Sequence, residues 1–208
     1  MPYPILKTDP QGIERAAQVI LQGGVVAFPT ETFYGLAADT WNETALRKIF
    51  AMKRRAEDKP LLLLIAEPAW VPGLVRRIPP AAERLMERFW PGPLTLVFEA
   101  SPELSSLLTG GAGKVGLRVS SHPAALGLTR AAGRAITATS ANLSGEPSAS
   151  LPAEVLRSLG ESLDAVLDGG KTPGGIGSTV LDVSGPSPKI IREGAVPRKD
   201  LADFLGGS

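Results

Sequence analysis

Four short stretches of this 208-residue chain hold the side chains best suited to chemistry. Lys53-Arg54-Arg55, with Lys59 close behind, gathers four cations. Arginine grips phosphate through planar, bidentate contacts and lysine acts as a point charge, so the run could clamp a triphosphate. Cations are equally at home at a helix C-terminus, where the dipole favours them, and spacing alone leaves that solvated reading open. Thr30-Glu31-Thr32 follows the apolar run Val25 to Phe28. Hydroxyls and a carboxylate there would stand at the carboxyl edge of a strand, where open α/β sheets bind ligands, although turns use the same residues. Ser140-Ala141-Asn142 and the glycine loop Gly174 to Ser178 are further polar segments that a nucleotide could approach closely. A helix cap or Asx-turn accounts for the first as well, and a hairpin connection for the second. Arg118 lies inside the apolar run Val115 to Val119 and Arg192 closes another, and a charge in such a setting is paired or faces a ligand.

Two phosphate-loop look-alikes fail on inspection. Gly113-Lys114 is followed by Val115 instead of a hydroxyl residue, and before Gly170-Lys171-Thr172 the required first glycine is Ala165. The chain has no cysteine, which excludes disulfides, thiolate metal sites and a cysteine nucleophile. A single histidine, His122, argues against a histidine-rich metal site, and before Pro123 it reads as a loop residue. What is left is a site of hydroxyls and cations without an evident nucleophile. That profile suits orienting an anionic, polar substrate pair more than forming a covalent enzyme intermediate.

The elements that position these residues alternate in type. Asp9-Pro10 offers an N-cap and a first-turn proline, and Ile13, Ala16, Ala17, Ile20 and Leu21 recur at helical spacing until Gly23-Gly24. Asn42 can cap a second helix with Leu46, Ile49 and Phe50 on its apolar face. Helices are predicted over Pro80 to Phe89, Pro123 to Ala132 and Pro152 to Leu159. Strands are predicted over Val25 to Phe28, Leu61 to Ile65, Leu94 to Phe98, Val115 to Val119, Ala135 to Thr139, Ala165 to Leu167, Thr179 to Val183 and Lys189 to Ile191. The interleaving indicates an α/β domain, with a mixed sheet because some connections are too short for crossovers. Hydrophobic residues at 43% and charged residues at 21% are ordinary for a globular domain. A net charge of +1 gives no bulk argument for a polyanionic partner. The N-terminus lacks a basic segment before a long apolar core, and no apolar run could cross a bilayer, so a cytoplasmic location without membrane contact is expected.

Taken together and in order, the segments resemble the YrdC-like family from about Ile13 to Val196. The family's Lys-x-Arg followed far downstream by Ser-x-Asn is met by Lys53 and Arg55, then Ser140 and Asn142. Pro29 to Leu36 meets its Pro-Thr-Glu-Thr-x-Tyr-Gly-Leu segment, and Pro91 to Thr95, Gly116 to Val119, Ser178 to Val180 and Arg192-x-Gly194 follow in register. The resemblance implies one domain over residues 1–208, with a twisted mixed sheet and flanking helices around a large, positively lined cavity. It implies a short, single-domain bacterial type of enzyme that joins L-threonine, bicarbonate and ATP into threonylcarbamoyl-AMP and pyrophosphate. A partner transferase would then carry the threonylcarbamoyl group to adenosine 37 of tRNA, with RNA contact by the chain itself as a further expectation. By the same resemblance Lys53, Arg55, Ser140, Asn142, Ser148 and Arg192 would hold ATP, with Lys53 and Arg55 as the catalytic pair. Thr30, Arg118 and Ser178 would lie near threonine. Mg²⁺ would be held mainly by phosphate oxygens, with no dedicated protein metal site.

Two departures stand out. Ala56 replaces a proline that often follows the second basic residue, and Leu64 stands where some members carry histidine. The rival readings are a non-catalytic YrdC-like RNA-binding protein and a carbamoyl-transfer module of the kind found in hydrogenase-maturation proteins. Intact Lys53/Arg55 and Ser140/Asn142 count against the first, and the length and absence of cysteine against the second.

Overall fold

A computed structural model of the chain describes residues 4–206. A short strand, β1 (Ile5–Lys7), leads into helix α1 (Pro10–Leu21), then β2 (Val26–Phe28), β3 (Gly35–Ala37) and α2 (Glu43–Lys53). The chain continues through β4 (Leu62–Leu64), α3 (Pro80–Phe89), β5 (Leu94–Glu99), the one-turn α4 (Ser106–Thr109), β6 (Lys114–Arg118) and α5 (Pro123–Ala132). Two very short strands follow, β7 (Ile136–Thr137) and β8 (Thr139–Ser140). The last elements are α6 (Pro152–Leu159), β9 (Ala165–Asp168), β10 (Thr179–Asp182), β11 (Lys189–Arg192) and α7 (Arg198–Gly206). Among the described residues no helix is long and apolar enough to cross a membrane.

Helix boundaries follow their capping chemistry. The Asp9 side chain accepts from the Gly12 N–H at 2.8 Å and Pro10 occupies the first turn, where its missing N–H costs nothing. Asn42 caps α2 by accepting from the Ala45 N–H at 3.1 Å. That helix ends on Arg54 in the left-handed region (φ 49°), a conformation that glycine usually supplies. The reversal sends successive side chains apart. Lys53 is 1% exposed, Arg54 faces solvent and Arg55 is half-buried.

The α/β class and the mixed pairing hold, with the strands divided between two sheets. One sheet runs β1-β9-β2-β3-β8, parallel across its first three strands and antiparallel after them. The other runs β11-β10-β5-β6-β4-β7, alternating antiparallel and parallel pairs. Tyr34, Leu36, Phe98, Leu96 and Leu117 are fully buried in one large apolar cluster, and α1 and α5 cover a second around Phe28, Leu64 and Ile136.

One expectation needs correction. The run Ala135 to Thr139 forms two strands instead of one, and each joins a different sheet. Ile136–Thr137 pairs with β4, whereas Thr139–Ser140 pairs with β3. Ala138, between them, donates its N–H to the Leu62 carbonyl at 2.8 Å, and Thr137 donates to that of Ala38 at 3.1 Å. A straight strand could satisfy only one sheet's ladder. The switch carries Ser140 into the space between the sheets.

Candidate functional site

Both sheets and the loops leaving them enclose a cavity of about 620 Å³. Gly35, Thr139 and Ser140 line it from the first sheet, and Leu62, Thr95, Gly116, Val180 and Arg192 from the second. Its charged lining is one-sided: Arg55, Lys114, Arg118 and Arg192 against the single carboxylate of Glu193. Lys114 is paired with Asp182 at 2.8 Å and Arg118 with Glu31 at 3.0 Å. Arg55 and Arg192 have no ion-pair partner among the described residues. Arg55 donates to the Pro60 carbonyl at 3.0 Å while its Nε is buried without a hydrogen bond.

The signature residues divide between the cavity wall and the layer beneath it. Arg55, Ser140 and Ser148 line the cavity. Lys53 lies under the loop. Its Nζ donates to the Ser140 carbonyl and, at 2.6 Å, to that of Asn142, while its own carbonyl accepts from the Ser144 N–H at 2.9 Å. Lys53 is therefore the post that shapes the Ser140–Asn142 loop. Asn142 faces a neighbouring hollow of about 440 Å³ that shares Ser148 with the main cavity. Its amide N–H groups donate to the carbonyls of Leu143 and Glu146, and its Oδ1 is buried without a partner.

Burial, and then the charge of Arg55, bring the Lys53 ammonium down to about 8. The charged form is disfavoured in the fold, and that penalty is present in full below about 8. It is relieved as pH rises towards the ordinary 10.5, because the unfolded chain then binds more protons. The stability of the wild type relative to Lys53→Met should therefore increase by about 2–3 kcal/mol between pH 7.5 and 10.5. Urea unfolding of both proteins across that range checks it. A flat difference would show that Lys53 is not held against its own ionisation.

Elsewhere on the cavity wall, Thr30 donates from Oγ1 to the Phe33 carbonyl at 2.7 Å and accepts from the Thr32 N–H at 3.1 Å. The turn reading of these threonines thus holds, and Thr30 lines the cavity as well. The same turn aims Glu31 at Arg118 and at the hydroxyl of Ser120. Arg118 is 4% exposed, and burial disfavours its charge while Glu31 restores it. Ser178 shares a 2.9 Å hydroxyl–hydroxyl bond with Thr95 and accepts from Arg192 at its carbonyl (2.9 Å) and its hydroxyl (3.2 Å). His122 caps α5, its Nδ1 accepting from the Ala124 N–H at 3.2 Å, and burial lowers its pKa. Leu64 is fully buried, paired in register with Arg118.

Reading the sequence left four contributors without a role. Glu31 was legible only as part of its motif, and Tyr34, Thr95 and Lys114 were not singled out. The Tyr34 hydroxyl donates to the Gly170 carbonyl at 2.7 Å and accepts from the Gly169 N–H at 3.2 Å, and burial pushes its pKa up to about 12. It ties the loop after β9 to the cavity wall. A signal for Lys114 did exist: Lys114, Gly116 and Arg118 alternate, so one strand face carries all three.

The Sua5–YciO–YrdC family model, whose description is "Telomere recombination", matches residues 18–194. The chain belongs to this family. The threonylcarbamoyl-AMP synthase of Bacillus subtilis is 41% identical over 199 residues, 95% of this chain and 57% of that protein. The threonylcarbamoyl-AMP synthase of Idiomarina loihiensis is 34% identical over 185 residues, 86% of this chain and 97% of that protein. Sua5 of P. abyssi, in a crystal structure complexed with L-threonine, superposes with a TM-score of 0.94 at 38% identity, over 99% of this chain and 61% of that one. The chain thus spans little more than half the length of some family members and nearly all of another.

Proposed function

We propose that the chain is an L-threonylcarbamoyladenylate synthase, a nucleotidyltransferase that uses ATP, L-threonine and bicarbonate and serves tRNA modification. The observation that carries this reading is the cavity's four cations against one carboxylate, two of those cations free of any ion-pair partner among the described residues. Such a wall suits a triphosphate. The non-catalytic RNA-binding alternative is not favoured, because the cations are gathered inside a concave cavity instead of on an open surface that could follow a nucleic-acid backbone. The same reading takes residues 1–208 as one domain, with a core that runs from Val25 to Leu201. It places the protein in the cytoplasm and hands its product to a threonylcarbamoyl transferase.

In the proposed reaction the threonine amine combines with bicarbonate to give an N-carboxylate and water. A carboxylate oxygen then forms a bond to the α-phosphorus of ATP, and pyrophosphate leaves. No side-chain nucleophile is required, so orientation and charge neutralisation carry the catalysis. Arg55 and Arg192 would meet the phosphates, with Ser140 and Ser148 donating from the loop that Lys53 supports. Asn142 Oδ1, unpaired at the neighbouring hollow, would accept from the nucleoside end. Arg118, held by Glu31, would take the threonine carboxylate, with Thr30 and Ser178 beside it. Mg²⁺ would enter on phosphate oxygens, supplying charge neutralisation. The donor set on the wall fits this, since hydroxyls and cations can surround a metal–phosphate complex without ligating the metal.

The deciding assay is pyrophosphate release from ATP and bicarbonate, with and without L-threonine. Threonine-dependent release is the expected result. Protein that binds ATP yet releases nothing with any amino acid would overturn the reading and bring RNA binding forward.

A further inference from the structure

Arg192 reaches the cavity because its strand is irregular. Ile190 of β11 packs on the large core in register with Leu181, and an unbroken strand would put Arg192, two residues on, on that same face. One extra residue, Ile191, stands between the pairs Leu181↔Ile190 and Val180↔Arg192. That bulge turns Arg192 to the other face, where it lines the cavity beside Val180. A bulge disrupts its ladder, and here the ladder has no further rung, since β11 stops at Arg192. β11 is also the outermost strand of its sheet, paired with β10 alone. The cation is therefore mounted on the last rung of an edge strand.

Beyond that rung the chain is held from behind. Thr179 is fully buried and stands between Ser178 and Val180, which both line the cavity, so its side chain points to the opposite face. Its hydroxyl donates to the Val196 carbonyl at 2.6 Å and accepts from the Val196 N–H at 3.0 Å. One side chain thus supplies both bonds that a ladder would have given Val196. Ala195 donates to the Gly177 carbonyl at 2.8 Å. Gly194 packs so closely that a Cβ there would stand 2.4 Å from the Gly177 oxygen and the Ser178 carbonyl carbon. At the far end α7 is pinned by buried Leu201 and by Phe204, whose ring meets Phe89 edge-on at 5.6 Å. Residues 193–197 are therefore a strap between the bulge and α7, and the Thr179 hydroxyl fastens it near its middle. On the cavity side, Arg192 donates to the Ser178 carbonyl at 2.9 Å and hydroxyl at 3.2 Å. We infer that Thr179 is a positioning residue: by fastening Val196 behind the wall it fixes the bulged end of β11, and with it the aim of Arg192 into the cavity. The inference rests on the synthase reading above and adds to it a residue that does not touch substrate.

The test measures threonine-dependent pyrophosphate release and calorimetric ATP binding, each well below the melting temperature of the variant used. Thr179→Val keeps the side-chain shape and removes the hydroxyl. It should lower kcat/KM for ATP by about ten- to a hundredfold, the scale of a misplacement of about 1 Å at a reacting centre. ATP should bind about tenfold more weakly, the equivalent of one charged hydrogen bond. Thr179→Ser keeps the hydroxyl and should restore both values. Thr179→Cys, a weak donor and acceptor, should fall between them, and it carries the test if the valine variant does not fold. In an Arg192→Ala background Thr179→Val should add little further loss, because its effect passes through Arg192. A merely structural role would reduce the active fraction and leave KM and ATP affinity of the remainder unchanged. That result, an equal loss in the Arg192→Ala background, or no recovery with serine overturns the inference. If wild-type protein binds ATP but no amino acid drives pyrophosphate release, the synthase reading fails alone and the binding arm still decides Thr179. Wild-type protein that binds no ATP overturns both.

Discussion

Lys53→Met should lower threonine-dependent pyrophosphate release by about ten- to a hundredfold, the equivalent of one hydrogen bond involving a charged group. Methionine keeps most of the stem's volume, so the substitution removes the ammonium and little else. Two backbone carbonyls, those of Ser140 and Asn142, then lose their shared donor. The loop that presents the Ser140 hydroxyl to the cavity loses its post, and the cavity loses a charge from beneath that loop. Because Lys53 is not on the cavity wall, the loss should fall on kcat at least as much as on KM for ATP. Lys53→Ala adds a packing defect, so it should be both less active and less stable than Lys53→Met. Arg55→Ala, by contrast, removes a wall residue and should raise KM for ATP without disturbing Ser140. Wild-type turnover in Lys53→Met would sink the assigned role.

Much of this arrangement could be read from the chain, and the reasons differ by element. Helices α1, α2, α3, α5 and α6 were legible because caps, prolines and apolar spacing act within a few residues. β1, β3 and α4 were not, since three or four residues carry no usable period. The break at Ala138 depends on two ladders that meet only in three dimensions, so Ala135 to Thr139 looked like one ordinary strand. The site behaves similarly. Lys53, Arg55, Ser140 and Asn142 could be picked out as a set, but the sequence could not say that Lys53 supports the loop from below while Arg55 faces the cavity. The chain reverses between them at Arg54, whose backbone is left-handed, and no local pattern in the sequence marks that reversal. Likewise Arg118 was legible as a charge in need of a partner, while Glu31, 87 positions away, could be matched to it only in the fold.

That pair supports the second large effect. Glu31→Gln should destabilise the protein by about 3–5 kcal/mol, the cost of leaving a buried charge without its partner. Arg118→Met should cost a similar amount for the reciprocal reason, with Glu31 left facing Ser120 in a site where its side chain is 14% exposed. The double variant should be no worse than either single one, since removing both charges removes the uncompensated desolvation. In a chain of this length each single substitution should lower Tm by roughly 10 °C. All three variants should lose threonine-dependent turnover, because none retains a guanidinium held towards the cavity by a carboxylate. Added L-threonine should recover part of the stability of Glu31→Gln by supplying a carboxylate to the orphaned Arg118, and little of that of Arg118→Met. Small, additive losses below about 1 kcal/mol would instead mark an ordinary surface pair and remove Glu31 from the site.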